Sequence, residues 1–290
     1  MKIKDFIELI RIKQWYKNLV IFLPLIFGMQ LFNLLSIMQT IIGFFSLCFI
    51  SSANYIINDI KDRKSDKENP EKKQRPVASG SVRPFNAFLL MIVFVFLGVY
   101  IASTLSFVFV LFALALFLLT QLYSFFLKKH AFADILIISV NFVLRAISGA
   151  FVIADGFEPY IKVSSWLILC PFFLALFLAT SKRQAEAILL KDNSKNHRPV
   201  LDFYTKEITS ALIIISTTLL IASYSLYVFF SPYPNLIFTL PFMLYIIFKF
   251  FYFAEKGQKI ARHPHLVYKD IGIVISGIIM AAMVFFSIYI

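Results

Sequence analysis

Only nine glycines and two cysteines occur among 290 residues, and acidic side chains number 16 against 28 lysines and arginines. Each shortage excludes something. Cys48 and Cys170 both sit inside apolar runs and far apart in the chain, which suggests neither a disulfide framework nor a zinc site. The sequence holds no Gly-rich phosphate loop and no nucleophile elbow. The four histidines, His130, His197, His263 and His265, form no H-E-x-x-H array, and no metal is assigned to them. Charged residues make up 15% of the chain and nowhere form a basic soluble stretch of domain size, so no nucleic-acid partner is expected.

What is there is apolar. Hydrophobic residues reach 60%, mean hydropathy is +0.81 and 35 residues are Phe, outside the range of ordinary soluble domains. So much Phe with so little Gly points to helices rather than a lipid-facing barrel. Apolar runs stand at roughly 18–37, 40–57, 85–103, 105–127, 133–154, 164–181, 208–230, 235–254 and 271–290. Runs of about 20 residues can cross the hydrocarbon core as helices. The expected fold class is therefore all-α, a polytopic membrane protein with nine transmembrane helices in a single domain over 1–290.

Assigning alternate loops to one side, starting with the N-terminus, gathers nearly all 28 basic residues there; Lys162 lies on the other side and Arg145 inside a span. The positive-inside rule then makes the N-terminus and the long loops cytoplasmic and the C-terminus external, in the inner (plasma) membrane. Residues 1–17 are amphipathic and lysine-rich, too polar for a signal-peptide core. They read as an interfacial segment with Trp15 and Tyr16 at headgroup level, in contact with membrane lipids.

Against this background one polar stretch stands out, Asn58-Asp59-Ile60-Lys61-Asp62-Arg63-Lys64-Ser65-Asp66 at the end of the second run. A helix continuing through it, to an end before Pro70, puts Asp59, Asp62 and Asp66 on one face with Asn58 beside them. Like charges so aligned repel unless a cation sits among them, and hard oxygen ligands in this number suit Mg²⁺ bridging to a substrate's phosphates. The plainer alternative is a solvated loop between two helices. Arg75-Pro76 follows, an arginine able to pair with a diphosphate in a bidentate manner. Lys17 and Asn18 near the start serve either as an interfacial anchor or as a contact to phosphate.

A second anomaly is the fifth run. Asp134, Asn141, Arg145 and Ser148 lie on one helical stripe, and an arginine inside a membrane helix faces a polar cavity or an internal hydrogen-bond network. Tyr123 and Lys128 precede it at another basic helix end. The sixth run closes with Lys182-Arg183 and Glu186; Lys182 and Glu186 at i and i+4 give a helix-end salt bridge or a second charged cluster across a cavity. His197-Arg198-Pro199 continues that loop. Asp270 opens the last run as an N-cap.

Nine spans with Asn58-Asp59-x-x-Asp62-x-x-x-Asp66 after the second, followed by Arg75-Pro76, resemble the UbiA superfamily of intramembrane prenyltransferases over essentially the whole chain. Within it, four features resemble the branch that transfers phosphoribose to a polyprenyl phosphate. These are Lys13-Gln14-Trp15-x-Lys17-Asn18, Tyr123-x-x-x-Leu127-Lys128 with Asp134, Leu144-Arg145-Ala146-x-x-Gly149, and Lys182-Arg183-x-x-Glu186. The resemblance implies a UbiA-like bundle with a polar cavity on the cytoplasmic side. It also implies that Asp59, Asp62 and Asp66, with Asn58, hold Mg²⁺ on a diphosphate near Arg75. Lys17, Tyr123, Lys128, Asp134, Asn141, Arg145, Lys182, Arg183 and Glu186 would contact substrate. The second aspartate motif of aromatic prenyltransferases, D-x-x-x-D, has no clean copy here.

The implied reaction is transfer of 5-phosphoribose from phosphoribosyl diphosphate to a polyprenyl phosphate. Transfer of a prenyl group from prenyl diphosphate to an aromatic or glycerol-based acceptor is the alternative within enzymes, and a transporter the alternative outside them.

Overall fold

A computed structural model of the chain describes residues 2–69, 72–152, 154–155, 158–189 and 203–290. His197 and Arg198 lie outside the described residues. Among the described residues, eight helices are long and apolar enough to cross a membrane. They are α3 (Leu34–Lys61), α6 (Pro84–Ser103), α7 (Phe107–Phe125), α8 (Ala133–Ser148, continued by a 3₁₀ turn to Phe151), α9 (Ser165–Leu189), α10 (Lys206–Phe230), α11 (Leu240–Glu255, led in by a 3₁₀ turn from Pro234) and α13 (Ile271–Tyr289). Smaller pieces are α1 (Ile3–Ile10), α2 (Leu23–Phe27), α4 (Arg63–Glu68), α5 (Pro76–Ser79) and α12 (Lys259–Arg262), with a two-stranded antiparallel hairpin pairing Ala154–Asp155 with Glu158–Pro159.

The long helices begin where sequence supplies a start signal. Asn33, Ser106, Thr205 and Asp270 each accept the backbone N–H of the residue three further on, opening α3, α7, α10 and α13. Proline sits in the first turn of α6, where its missing N–H costs nothing.

The run expected as the first span, 18–37, is built differently. Ile12–Phe22 is a 3₁₀ helix that passes into α2, and the chain turns at Gly28 before Asn33 caps α3. A 3₁₀ helix repeats every three residues, so side chains at i and i+3 eclipse. Trp15, Asn18 and Ile21 accordingly share one face, and all three meet α3. Trp15 Nε1 donates to Ser52 Oγ (3.1 Å), Ser51 Oγ donates to Asn18 Oδ1 (3.3 Å), and Ile21 packs with Leu47 and Ile50. An α-helix would have rotated these positions apart.

The chain forms two compact units, Met1–Leu127 with Leu144–Val163, and Lys128–Val143 with Ser164–Ile290. In the first, α3 packs along α6 so closely that Ser46 Oγ donates to the Gly98 carbonyl (2.7 Å). A Cβ on Gly98 would stand 2.8 Å from Ile50. Gly149 is tighter still, because its Cβ would fall 2.0 Å from the Ile21 carbonyl oxygen. In the second unit Phe177, Ile213, Leu220, Ile247, Phe250 and Ile273 form the main apolar core of α9, α10, α11 and α13.

Candidate functional site

The acidic stretch lies on two helices. α3 ends at Lys61, Asp62 occupies the junction, and α4 carries Asp66 and ends at Glu68, before Pro70 as expected. Asp59 and Asp66 are buried (1% and 3% exposed), whereas Asn58 and Asp62 are half-buried. Arg75, at the N-terminus of α5, bridges the two buried carboxylates. Its Nη1 donates to Asp66 Oδ2 (2.7 Å) and to Asp59 Oδ1 (3.2 Å). Arg11 Nη2 donates to the same Asp59 Oδ1. Arg11 has a left-handed backbone (φ 52°) where α1 gives way to the 3₁₀ segment, and this bend directs the next residues along α3. Burial pushes the Asp66 carboxyl above its ordinary range while the Arg75 charge pulls it back. Burial, with Arg11 close by, lowers Arg75 against the pull of the two carboxylates.

Among the described residues, no three His, Cys, Asp or Glu side chains are grouped closely enough to hold a metal ion. One observation nevertheless fits a cation. Asp59 Oδ2 is buried with no hydrogen-bond partner, and an orphaned carboxylate oxygen is costly unless something positive reaches it. The donor set is all-oxygen, as a hard divalent cation requires.

One turn back along α3 stands Tyr55. Lys17 Nζ donates to its hydroxyl (3.4 Å), and the Arg11 guanidinium carbon lies 4.9 Å from its ring centroid. Beneath, Asn18 Oδ1 accepts from Arg145 Nε (2.8 Å), and Asn18 Nδ2 donates to Cys48 Sγ (3.3 Å). Nearby in α3, Asn54 Oδ1 accepts from Gln121 Nε2 of α7. Tyr123 is half-buried on the last turn of α7.

In the second unit the polar centre is Asp134, fully buried in the first turn of α8. Arg183 Nε donates to Asp134 Oδ2 (2.7 Å), Arg183 Nη1 donates to Glu186 Oε2 (2.8 Å), and the Tyr204 hydroxyl donates to Asp134 Oδ1. Burial, reinforced by the bond to Asp134, raises the Tyr204 phenol well above its usual range. Lys182 Nζ sits 3.8 Å from Glu186, the helix-end pair expected from spacing. Lys128 is half-buried in a short 3₁₀ turn, Leu127–Lys129.

The stripe on α8 is therefore divided among different partners. Asp134 holds Arg183 and Tyr204 in the second unit, and Arg145 holds Asn18 in the first. Asn141 Nδ2 returns to its own helix at the Ile137 carbonyl (3.0 Å), and Ser148 Oγ donates to the Arg145 carbonyl (2.8 Å).

Sequence reasoning passed over Arg11 and Tyr55. Arg11 was one of several lysines and arginines in a segment read as interfacial. Tyr55 carries a signal, a phenol four residues before a buried aspartate on the same helix, but an aromatic inside an apolar run is ordinary.

Long apolar helices with buried ion clusters at their ends define an all-α integral membrane protein, and solved structures supply the fold. A UbiA homologue from Archaeoglobus fulgidus, bound to DMAPP and Mg²⁺, matches with a TM-score of 0.73 at 17% identity, covering 99% of both chains. The UbiA prenyltransferase family profile matches residues 21–266, and the chain belongs to that family. It is a UbiA-family transferase. The decaprenyl-phosphate phosphoribosyltransferase of Corynebacterium glutamicum is 32% identical over 227 residues, covering 77% of this chain and 67% of that one. The protein y4nM of Sinorhizobium fredii is 34% identical over 194 residues, 67% of this chain; the match spans only 36% of the length of that relative.

Proposed function

We propose that this transferase moves 5-phosphoribose from 5-phosphoribosyl 1-diphosphate to a polyprenyl phosphate, releasing diphosphate, as a step in making a lipid-linked sugar precursor of the cell envelope. The observation that carries the reading is the state of Asp134 and Glu186. Both are engaged with Arg183, so the position where a second aspartate pair would stand holds a built arginine instead. Kinship with relatives named for phosphoribose transfer agrees with this.

In the reaction an oxygen of the lipid phosphate forms a bond to C1 of the sugar, while the bond from C1 to the diphosphate oxygen breaks and its electron pair leaves with diphosphate. A polyprenyl phosphate is already anionic at neutral pH, so no strong general base is needed. Asp59, Asp62 and Asp66, with Asn58, are the residues that would hold Mg²⁺, and the buried unpartnered oxygen of Asp59 is their best single credential. When bound, that ion supplies neutralisation of the charge gathering on the leaving diphosphate. Arg75 and Arg11, which meet Asp59 in the free protein, are placed to turn to diphosphate oxygens instead, since guanidinium groups pair with phosphate as readily as with carboxylate. Lys17 and Arg145, in the same unit as this cluster, are further cations for bringing two anionic substrates together. The basic face of the protein is cytoplasmic in this reading, so a soluble sugar diphosphate arrives from water and the lipid from the bilayer.

Purified protein with Mg²⁺ is offered radiolabelled phosphoribosyl diphosphate plus polyprenyl phosphate, and separately labelled prenyl diphosphate plus aromatic or glycerol-based acceptors. Label should pass to the polyprenyl phosphate in the first mixture. Transfer only in the second would replace this reading with a prenyl transfer.

A further inference from the structure

The short helix α4 has two chemically opposite sides. One side brings Asp66 to Arg75. The other presents Arg63, Lys64 and Lys67, which line a recess of about 490 Å³ together with Ile60 and Lys61 of α3 and Pro84 at the start of α6. That volume lies in the range of ligand-binding clefts. Four of the six described residues lining it are basic and none is acidic. Lys64 and Lys67 are exposed, and Arg63 is half-buried. Arg63 Nε is buried with no hydrogen-bond partner, so the guanidinium gives up nothing at that atom by turning toward an anion. Lys61 Nζ donates to the Ser124 carbonyl (2.6 Å) and lies 3.9 Å from the Phe125 ring centroid, which joins the recess to the end of α7.

Apolar side chains adjoin these cations. Phe85 follows Pro84 in the first turn of α6, Phe88 comes three residues later, and Phe125 and Phe126 stand at the end of α7; all four are exposed. The cations therefore gather where polar helix ends meet lipid-facing surface. Crowded like charges repel, and independent snorkelling to headgroups would spread these side chains rather than collect them round one recess. Basic pockets between membrane helices suit anionic lipid headgroups, because each lysine or arginine adds attraction to the lipid.

We propose that the recess between α3, α4 and α6 binds one anionic phospholipid of the bilayer. Its phosphate would meet Arg63, Lys64 and Lys67, and its acyl chains would lie along the exposed phenylalanines of α6 and α7. This lipid is not a substrate. None of Asp59, Asp62 and Asp66 lines the recess, and Asp66 faces Arg75 on the other side of α4. Charge and margin together select the occupant. An inorganic phosphate has no chains to cover the phenylalanines, and a zwitterionic lipid brings its own cation against the lysines. The site stands whichever donor and acceptor the enzyme uses.

The test measures equilibrium binding of dioleoyl phosphatidylglycerol and dioleoyl phosphatidylcholine to the full chain by native mass spectrometry, in detergent, after exchange of bilayer lipid and with no substrate. The parent should hold one phosphatidylglycerol about tenfold or more tightly than phosphatidylcholine, the worth of two or three basic residues facing an anionic lipid. Arg63→Gln, Lys64→Gln and Lys67→Gln combined should erase most of that preference. Glutamine keeps the helix propensity of α4, so the unfolding midpoint without lipid and the binding of phosphatidylcholine should not change. Arg63→Lys, Lys64→Arg and Lys67→Arg combined, which preserve the charge, should retain the preference. So should Lys2→Gln, Lys4→Gln and Lys13→Gln combined, which remove as much charge from exposed lysines of the N-terminal segment. Equal affinity of the parent for the two lipids overturns the site, as does a preference that survives the first variant or an equal loss in the N-terminal one. Farnesyl phosphate displacing the phosphatidylglycerol one for one would give the recess to a substrate and overturn it too.

Discussion

Asp134 and Arg183 carry opposite charges in a place where neither has access to water, with 0% and 2% of their surfaces exposed. Removing Asp134 leaves the buried Arg183 with the partly exposed Glu186 as counter-charge. The cost falls toward the lower end of the about 3–5 kcal/mol lost when one partner of a buried pair is removed. Asp134→Ala should therefore lower the unfolding free energy in detergent by that order. Tyr204→Phe, which deletes one bond to the same carboxylate, should cost only about 1 kcal/mol. Equal effects of the two variants would mean that Glu186 alone suffices to hold the Arg183 charge. The pairing also marks what sequence made legible and what it did not. The spacing of Lys182 and Glu186 announced a helix-end bridge, which is present. Nothing in spacing could announce that Arg183 reaches back to Asp134, because that contact joins positions 49 residues apart.

At the level of elements, the helix starts were readable because capping chemistry is local. Asp270 illustrates it. Its carboxylate accepts the Ile273 N–H (3.0 Å), which holds the group below the ordinary carboxylate range, and Lys249 Nζ lies 3.0 Å away. Asp270→Ala should cost about 1 kcal/mol, the usual worth of an N-cap. Since the folded-state value lies below the unfolded one, the stabilisation is complete above the ordinary value and lost as pH falls through the depressed one. Unfolding midpoints of parent and variant should thus differ at about pH 7 and converge as pH falls below the ordinary carboxylate range. The acidic stretch was legible as chemistry but less so as geometry. One continuous helix was expected through Asp66, yet the chain turns at Asp62 and a separate short helix carries Asp66 inward to Arg75. Arg75, which meets Asp66 there, comes from beyond Pro70 and is invisible to helical periodicity.

For the whole molecule, composition alone conveyed the class, since nothing but a membrane accommodates so much apolar surface. Individual lipid-facing Phe and Leu side chains remain exposed along the long helices. Charge asymmetry adds a direction that can be tested around α6. A single cysteine at Ser65, before α6, should resist a membrane-impermeant maleimide in intact cells, and one at Thr104, after it, should react. The opposite pattern would invert the proposed orientation and move the basic clusters away from the cytoplasm. What composition could not convey was how the first apolar run would fold, because hydropathy is blind to whether a helix is wound by 3.6 residues or by three.

That winding changes how far the chain reaches. Each 3₁₀ residue advances about 2.0 Å where an α residue advances about 1.5 Å. The 11 residues from Ile12 to Phe22 and the five of α2 thus extend roughly 30 Å, about the thickness of the bilayer's hydrocarbon. Sixteen tightly wound residues cover a distance for which an ordinary helix needs about twenty. The same residues wound as an α-helix would stop about 5 Å shorter, and the face of Trp15, Asn18 and Ile21 would cover less of α3.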